Sequence, residues 1–525
     1  MLSVQSVSLI WLVALSPADA SAQTRDFLQP TRSAIPAGIP AIPPGVALFP
    51  GTTAWTNTPD GALWIGTPHG LWRRSGSTWD YFASERYLPS DLVRGLAPDP
   101  GNPHGVLVLT AAGSTRIGLT PMTLEAKAGL FEQRVEDRHN RHGMVADSIL
   151  TRPGDLTSNQ TASSDNDGLW TAMYGASQCF RYAVTGSSEA RERAERSVGA
   201  LLYLERITGL PGFPARSFVK PGEQQPSDGV WYENPAEGLR WKADTSSDEI
   251  VGHFFLFSIA FDLLPDPKLK ARIAATTRRI MDHILSHGLN LIDRTGQPTT
   301  WGKWSPEYFA TRGGRADSPL NALELLSFLR AARHITGDRK YDVEYSRVAL
   351  RMGYAALSAR YRELSEEINY SDEELAMLSF YTLFRYERDA SLLPLYRNAL
   401  DGWWHNIRRE RNPLWNLIYL HSQPSVSKED RGRLIQESLS TLQQIPLDLI
   451  TWTVDNTQRR DVVWDQSEDR FNGRQSTTWL PALERPVMKW NGNPFRVNGG
   501  NGGRNEDDGS IYLLPYWLGR YWQNF

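Results

Sequence analysis

Three short polar clusters hold the side chains best suited to chemistry. The first is Arg138-His139-Asn140-Arg141-His142, two histidines and two arginines in a chain with only 10 histidines. Guanidiniums recognise carboxylates through paired hydrogen bonds, and an imidazole titrating near neutrality can serve as a base. The second is Ser163-Ser164-Asp165-Asn166-Asp167-Gly168-Leu169-Trp170, which sets two carboxylates beside an indole, with Tyr174 one turn on. The third is Lys242-Ala243-Asp244-Thr245-Ser246-Ser247-Asp248-Glu249, followed by His253. Ser246 and Glu249 match the S-x-x-E capping box, which leaves Asp244, Asp248 and His253 to be explained. Each cluster also has an ordinary reading. The first is a solvated turn, and acids at a helix start are stabilised by the backbone dipole.

Two weaker sites follow. Trp301-Gly302-Lys303-Trp304-Ser305-Pro306-Glu307-Tyr308 is an aromatic loop with one carboxylate. Residues 491–508 are rich in Gly and Asn and end in Glu506-Asp507-Asp508, but lack the lysine-containing phosphate loop pattern. The Asp-x-Asp-Gly spacing at Asp165 hints at calcium, yet the later ligand positions are missing. No metal or cofactor is expected, and neither a G-x-S-x-G elbow nor an H-E-x-x-H motif occurs.

Helices must position these groups. From about residue 124 to 447 the apolar residues recur with helical spacing. Paired runs are predicted at 172–184 with 189–207, 247–264 with 267–287, 369–386 with 390–409, and 414–422 with 428–444. Thr185-Gly186-Ser187-Ser188 and Thr336-Gly337-Asp338 form similar joints, with Gly ending one helix and Ser or Asp capping the next. Short joints force antiparallel neighbours. The fold class is therefore mainly α: an (α/α) toroid of about six helical hairpins over residues 124–525, with a small N-terminal β-domain.

That β-domain spans residues 47–118, where apolar and polar residues alternate between Gly and Pro breaks. Gly61-Ala-Leu-Trp-Ile-Gly-Thr-Pro-His-Gly70 returns about 40–45 residues later as Gly105-Val-Leu-Val-Leu-Thr-Ala-Ala-Gly113, a propeller-blade period. The segments LWIGTPHGLWRR and YLPSDLVRGLAPD resemble repeats of two-component-regulator propellers. Two such repeats cannot close a propeller. Residues 23–46 read as a Pro/Ala-rich linker. Residues 1–22 read as a signal peptide, with the apolar core Ser8–Leu15 and small residues up to Ala22. A secreted or periplasmic protein without a membrane span is expected.

The net charge of −3 gives no basis for nucleic-acid binding. The lone Cys179 excludes an intrachain disulfide. Nineteen tryptophans and 19 tyrosines raise the expectation of a glycan ligand, since flat amphipathic rings stack on sugar faces.

The hairpin series, the Thr-Gly-Asp joint and the closing LLPYWLGRYW segment resemble the six-hairpin glycosidase superfamily over residues 125–523. The resemblance implies a funnel at one end of the ring, lined by loops and the starts of inner helices. It implies a poly- or oligosaccharide substrate. Hydrolysis would use one carboxylate from Asp165/Asp167 and one from Asp244/Asp248, about 6.5–9.5 Å apart if the reaction inverts. Trp170, Trp304 and Glu307 would line sugar subsites. The alternative is a lyase acting on a uronate glycan. There Arg138, His139, Asn140 and Arg141 would neutralise the substrate carboxylate, with His142, His253, Tyr174 or Tyr232 supplying the base. A third reading is a non-catalytic glycan-binding or sensor protein, motivated by the propeller-like repeats.

Overall fold

The computed structural model describes residues 26–35, 45, 51–364, 368–469, 473–486 and 489–525. The expected signal peptide and most of the expected linker lie outside these residues. Within that linker, however, Phe27–Ser33 forms strand β1, paired antiparallel with residues 116–122. The segment expected to be part of a Pro/Ala-rich linker is here an edge strand with Gln29 turned inward.

Strands β2 (Ala54–Asn57), β3 (Leu63–Thr67), β4 (Gly70–Ser75) and β5 (Thr78–Phe82) form one antiparallel sheet in chain order. Strands β6 (Val93–Pro98), β7 (Val106–Thr110) and β8 (Gly113–Met122) form a second, and β1 completes it beside β8. The repeated sequence builds the same hairpin twice. Thr67 and Thr110 each donate their hydroxyl to the carbonyl of the glycine three residues on, at 2.9 and 2.7 Å. Gly70 and Gly113 hold φ of 146° and 140°, which a side chain at either position would resist. Ala54, Trp64, Leu71, Phe82, Val108 and Ile117 fill the shared core. Buried Arg86 anchors this part to the C-terminal loops, donating to the carbonyls of Ala482, Leu483 and Arg485 at 3.1–3.4 Å.

Strand β8 leads straight into helix α1 (Leu124–Arg134), with only Thr123 between them. The Thr123 hydroxyl accepts the Ala126 amide at 3.1 Å and starts the helix. The main helices that follow are α2 (Asp167–Thr185), α3 (Ser188–Arg206), α4 (Ser247–Leu263), α5 (Pro267–Ser286), α6 (Arg312–Thr336) and α7 (Lys340–Ser346). Then come α8 (Tyr370–Tyr386), α9 (Leu393–Ile407), α10 (Pro413–Ser422), α11 (Lys428–Gln444) and α12 (Ser510–Tyr521). The predicted joints hold. Gly186 and Gly337 close α2 and α6 at φ 68° and 70°. Ser187 caps α3, and Asp338 accepts the Lys340 amide at 3.0 Å.

Every second helix packs on the next: α2 on α4, α4 on α6, α6 on α8, α8 on α10, α10 on α12, and α12 back on α2. The sequence explains which helices take that series. In α4 every residue from Glu249 to Ala260 is buried, so the helix has no solvent face. In α5 burial follows Leu269, Ile273, Thr276, Ile280 and Ile284, one stripe of an outer helix. The seam between the ends of the series is polar as well as apolar. Trp517 Nε1 donates to Glu132 Oε1 at 2.8 Å, and Tyr512 donates to the Leu124 carbonyl at 2.7 Å. Buried Lys127 donates to Gln29 and to the carbonyls of Leu442 and Gln443, each at 2.9 Å, and to that of Ile445.

Candidate active site

The starts of α2 and α4 meet. Glu249 is buried and accepts the Gly168 amide at 3.2 Å. A Cβ on Gly168 would lie 1.8 Å from Glu249 Oε2, so only glycine fits there. This corrects the capping-box expectation. Ser246 makes no side-chain cap bond, and its hydroxyl turns to Asn166 Oδ1 at 3.3 Å. Arg216 clamps the two loops together, donating to the carbonyls of Asp165 and Asp244 at 2.7 and 3.1 Å and to Asn166 Oδ1 at 2.9 Å.

The expected site residues divide sharply. Asp167 is fully buried, where it accepts from Arg141 at 3.0 Å, from Ser164 and from Ser217. Asp165 is exposed and ion-paired to Lys242. Asp244 sits at φ 53° and accepts the Thr300 amide at 2.7 Å, which fastens the 298–303 hairpin to the start of α4. Exposed Trp301, at 54%, rides on that hairpin. His253 is in the core, with its ring nitrogens on the carbonyls of Glu249 and Leu201 at 2.6 and 3.2 Å. It does not face the helix starts, because α4 buries its whole circumference there. Trp304 is likewise buried, donating to Glu324 at 2.8 Å, and Glu307 is exposed on the one-turn helix Pro306–Phe309.

The arginine–histidine cluster serves the fold. Arg138 grips Glu506 at 2.6 and 2.9 Å, and Arg134 joins the same carboxylate at 2.9 Å. His139 and then these arginines hold the Glu506 carboxyl down at about 2 against the effect of burial. Arg141 bridges Asp167 and Glu223. His139 is buried against the Ala146 carbonyl at 3.1 Å, and Asn140 bonds Glu136 and the Gly143 amide. His142 is exposed, at φ 56°, and pairs with Glu223 at 2.7 Å. Tyr174 donates to Glu136 at 2.8 Å. The guanidiniums expected to neutralise a substrate carboxylate are thus occupied by the protein's own acids.

Asp248 is different. It is half-buried at the second residue of α4, and its carboxylate has no hydrogen-bond partner among the described residues. Its charge reaches acids on the next helices of the series. Asp317 and Glu324 stand two turns apart on α6, and Asp372 and Glu374 lie in the first turns of α8. Burial, with Asp317 and Asp248 nearby, pushes the Asp372 carboxyl up to about 7. Burial and the Asp248 charge push Glu374 up to about 8, with Lys489 opposing and Asp508 adding to the effect. Burial also raises Glu324 well above the carboxylate range, against its bond from Trp304 and with Asp248 and Asp372 near. Burial raises Asp317 as well, although Tyr308 donates to it.

On the far side, Lys489 Nζ lies 4.6 Å from the Trp170 ring centre and 3.5 Å from Asp147. The same lysine lines a recess with Asn412, which caps α10, and Ile511 at the start of α12. The starts of α4, α6 and α8 thus carry acids within reach of one another's charge, an acidic cup whose charge Lys489 opposes at Glu374. Helix N-termini attract anions, and burial with mutual repulsion overrides that attraction for Asp372 and Glu374. Burial and repulsion therefore favour the protonated forms of Asp372 and Glu374 near neutral pH. Reading the sequence found Asp248 and Trp170 but missed Asp317, Asp372, Glu374 and Lys489. The signal was available: each of these acids lies within the first two turns of a helix in the alternating series.

No family model and no curated protein matches the chain. Among solved structures, it is similar to a metagenome-derived glycoside hydrolase family 9 endoglucanase, with 10% identity, a TM-score of 0.34, and coverage of 80% of this chain and 84% of that one. It is also similar to a family 76 glycoside hydrolase from a bovine Bacteroides thetaiotaomicron strain, with 11% identity, a TM-score of 0.25, and coverage of 65% and 87%.

Proposed function

We propose that the chain is an (α/α) toroid that hydrolyses glycosidic bonds of a poly- or oligosaccharide in the acidic cup. The packing order that returns from α12 to α2 supports the toroid. The observation that carries the chemistry is the pairing of half-buried Asp248 with Asp372, whose carboxyl is held at about 7. Glycoside hydrolysis needs a protonated carboxyl to give the leaving oxygen its proton, and a carboxylate to activate water or attack the sugar. Asp372 takes the first role, because it keeps its proton near neutrality and is only half-buried, so a substrate can reach it. Asp248 takes the second. Burial keeps Asp372 protonated, with the charges of Asp317 and Asp248 adding to the effect. Exposed Trp301, on the strand fastened to Asp244, offers a sugar platform. Asp248 is retained from the sequence reading, and Asp372 replaces the Asp165/Asp167 pair.

The test is a panel of neutral and uronate polysaccharides, read by reducing ends and by the ultraviolet absorbance of unsaturated products. Reducing ends without unsaturation, lost in Asp248→Asn and Asp372→Asn, would support the reading. Unsaturated products would replace it with elimination, and full activity in both variants would remove the assignment.

A further inference from the structure

Outside the cup, a groove of about 470 Å³ runs down the wall between the end of α9 and the exposed side of α11. Arg408, Arg409, Arg411 and Arg433 line it against one acid, Glu437, with Trp479 at the edge. This is a local excess of positive charge on a chain whose net charge is −3. Two of the arginines are fixed in place. Arg409 donates to the Thr477 carbonyl at 2.6 Å, and the Arg411 guanidinium lies 4.5 Å from the Trp479 ring centre. The other two are available. Arg408 is exposed, and its guanidinium makes no hydrogen bond or ion pair among the described residues. Arg433 makes only a solvent-exposed pair with Asp430 at 3.1 Å, which holds it weakly.

We infer that this groove binds an acidic glycan, one whose sugars carry carboxylate or sulfate groups. The inference rests on the glycan-acting reading of the cup and adds a charge class to the substrate. Guanidiniums match carboxylate and sulfate oxygens through forked hydrogen bonds, and a series of them suits a chain that repeats one charge per sugar. The Trp479 indole adds a flat face for a sugar ring. A neutral glycan would leave Arg408 unanswered and Arg433 held only by its exposed pair. A nucleic acid would require a basic surface much wider than this groove.

The test uses the whole protein with oligogalacturonate and chondroitin sulfate oligosaccharides, which separate the carboxylate and sulfate sources. Binding is followed by calorimetry at low and high salt. At least one of the two should bind, weaken with salt, and weaken at least tenfold in the double variant Arg408→Glu/Arg433→Glu. Arg408→Gln/Arg433→Gln, with an unchanged melting point, should show a smaller loss in the same direction. Unaltered binding in both double variants overturns the groove, as does equally tight, equally arginine-dependent binding of poly-glutamate or single-stranded DNA. The two readings fail separately. Turnover with groove-independent binding removes the groove alone. Groove-dependent binding with no turnover of any glycan removes the hydrolase alone.

Discussion

Replacing Glu374 with glutamine should make the protein more stable in alkali while leaving it little changed in mild acid. The carboxyl has an ordinary value of 4.5 and is pushed up to about 8 in the fold, chiefly by burial. Between those values the folded state binds a proton that the unfolded chain has released. Stability therefore falls as pH rises through that window, since stability follows the difference in bound protons. At about 1.36 kcal/mol per pH unit, the full window is worth on the order of 5 kcal/mol. Glutamine has no proton to lose, so the cost disappears in the variant. Thermal unfolding of both proteins at about pH 5 and about pH 9 would measure it. The gap between their melting points should widen by several degrees in the variant's favour at the higher pH. Subtracting one protein's profile from the other's removes the other acids of the cup. Parallel pH profiles would refute the reasoning, because they would mean that Glu374 ionises in the fold as readily as in the open chain.

Other outcomes follow from the same geometry. Activity should fall as pH rises through about 7, where Asp372 loses its proton, and Asp372→Asn should lower kcat/KM by about 10²–10⁴-fold, as expected for a missing general acid; a flat profile from pH 6 to about pH 9 would oppose it. Trp301→Ala should raise KM more than it lowers kcat, since the indole is an exposed platform away from the carboxyls. Lys127→Met should lower stability by about 2–3 kcal/mol, because buried acceptors at the end of α11 lose their donor; a melting point equal to the wild type would show that they find another. If residues 1–22 direct export, intact-mass measurement of the secreted protein should give a chain beginning at Gln23.

Much of the fold was legible because local signals agreed with it. Glycine joints, caps and stripe periods set the helices of the hairpins to within a few residues. The exception is informative. The start of α2 was expected at 172 and lies at Asp167, because Asp-Asn-Asp-Gly reads as a turn until Glu249 arrives from another helix to accept the Gly168 amide. The β-part begins at Phe27, since β1 gains its partner only from β8, far along the chain. The site was legible by halves. Arg141 and Asp167 were both singled out, and they do meet, but they neutralise each other. Asp317, Asp372 and Glu374 look like ordinary first-turn acids when read along the chain. Only the packing of α4, α6 and α8 side by side turns them into one cup with Asp248.

The seam formed by α12 has a consequence for how the molecule is made. Helices α1 and α2 are synthesised well before the helix that covers Phe131 and donates to Glu132. Until then the growing chain presents an apolar flank, and α2 and α10 lack the helix that packs on both of them. Such a protein cannot mature segment by segment behind the ribosome. It must be kept from aggregating until α12 docks, so a stop before Ser510 should yield insoluble material.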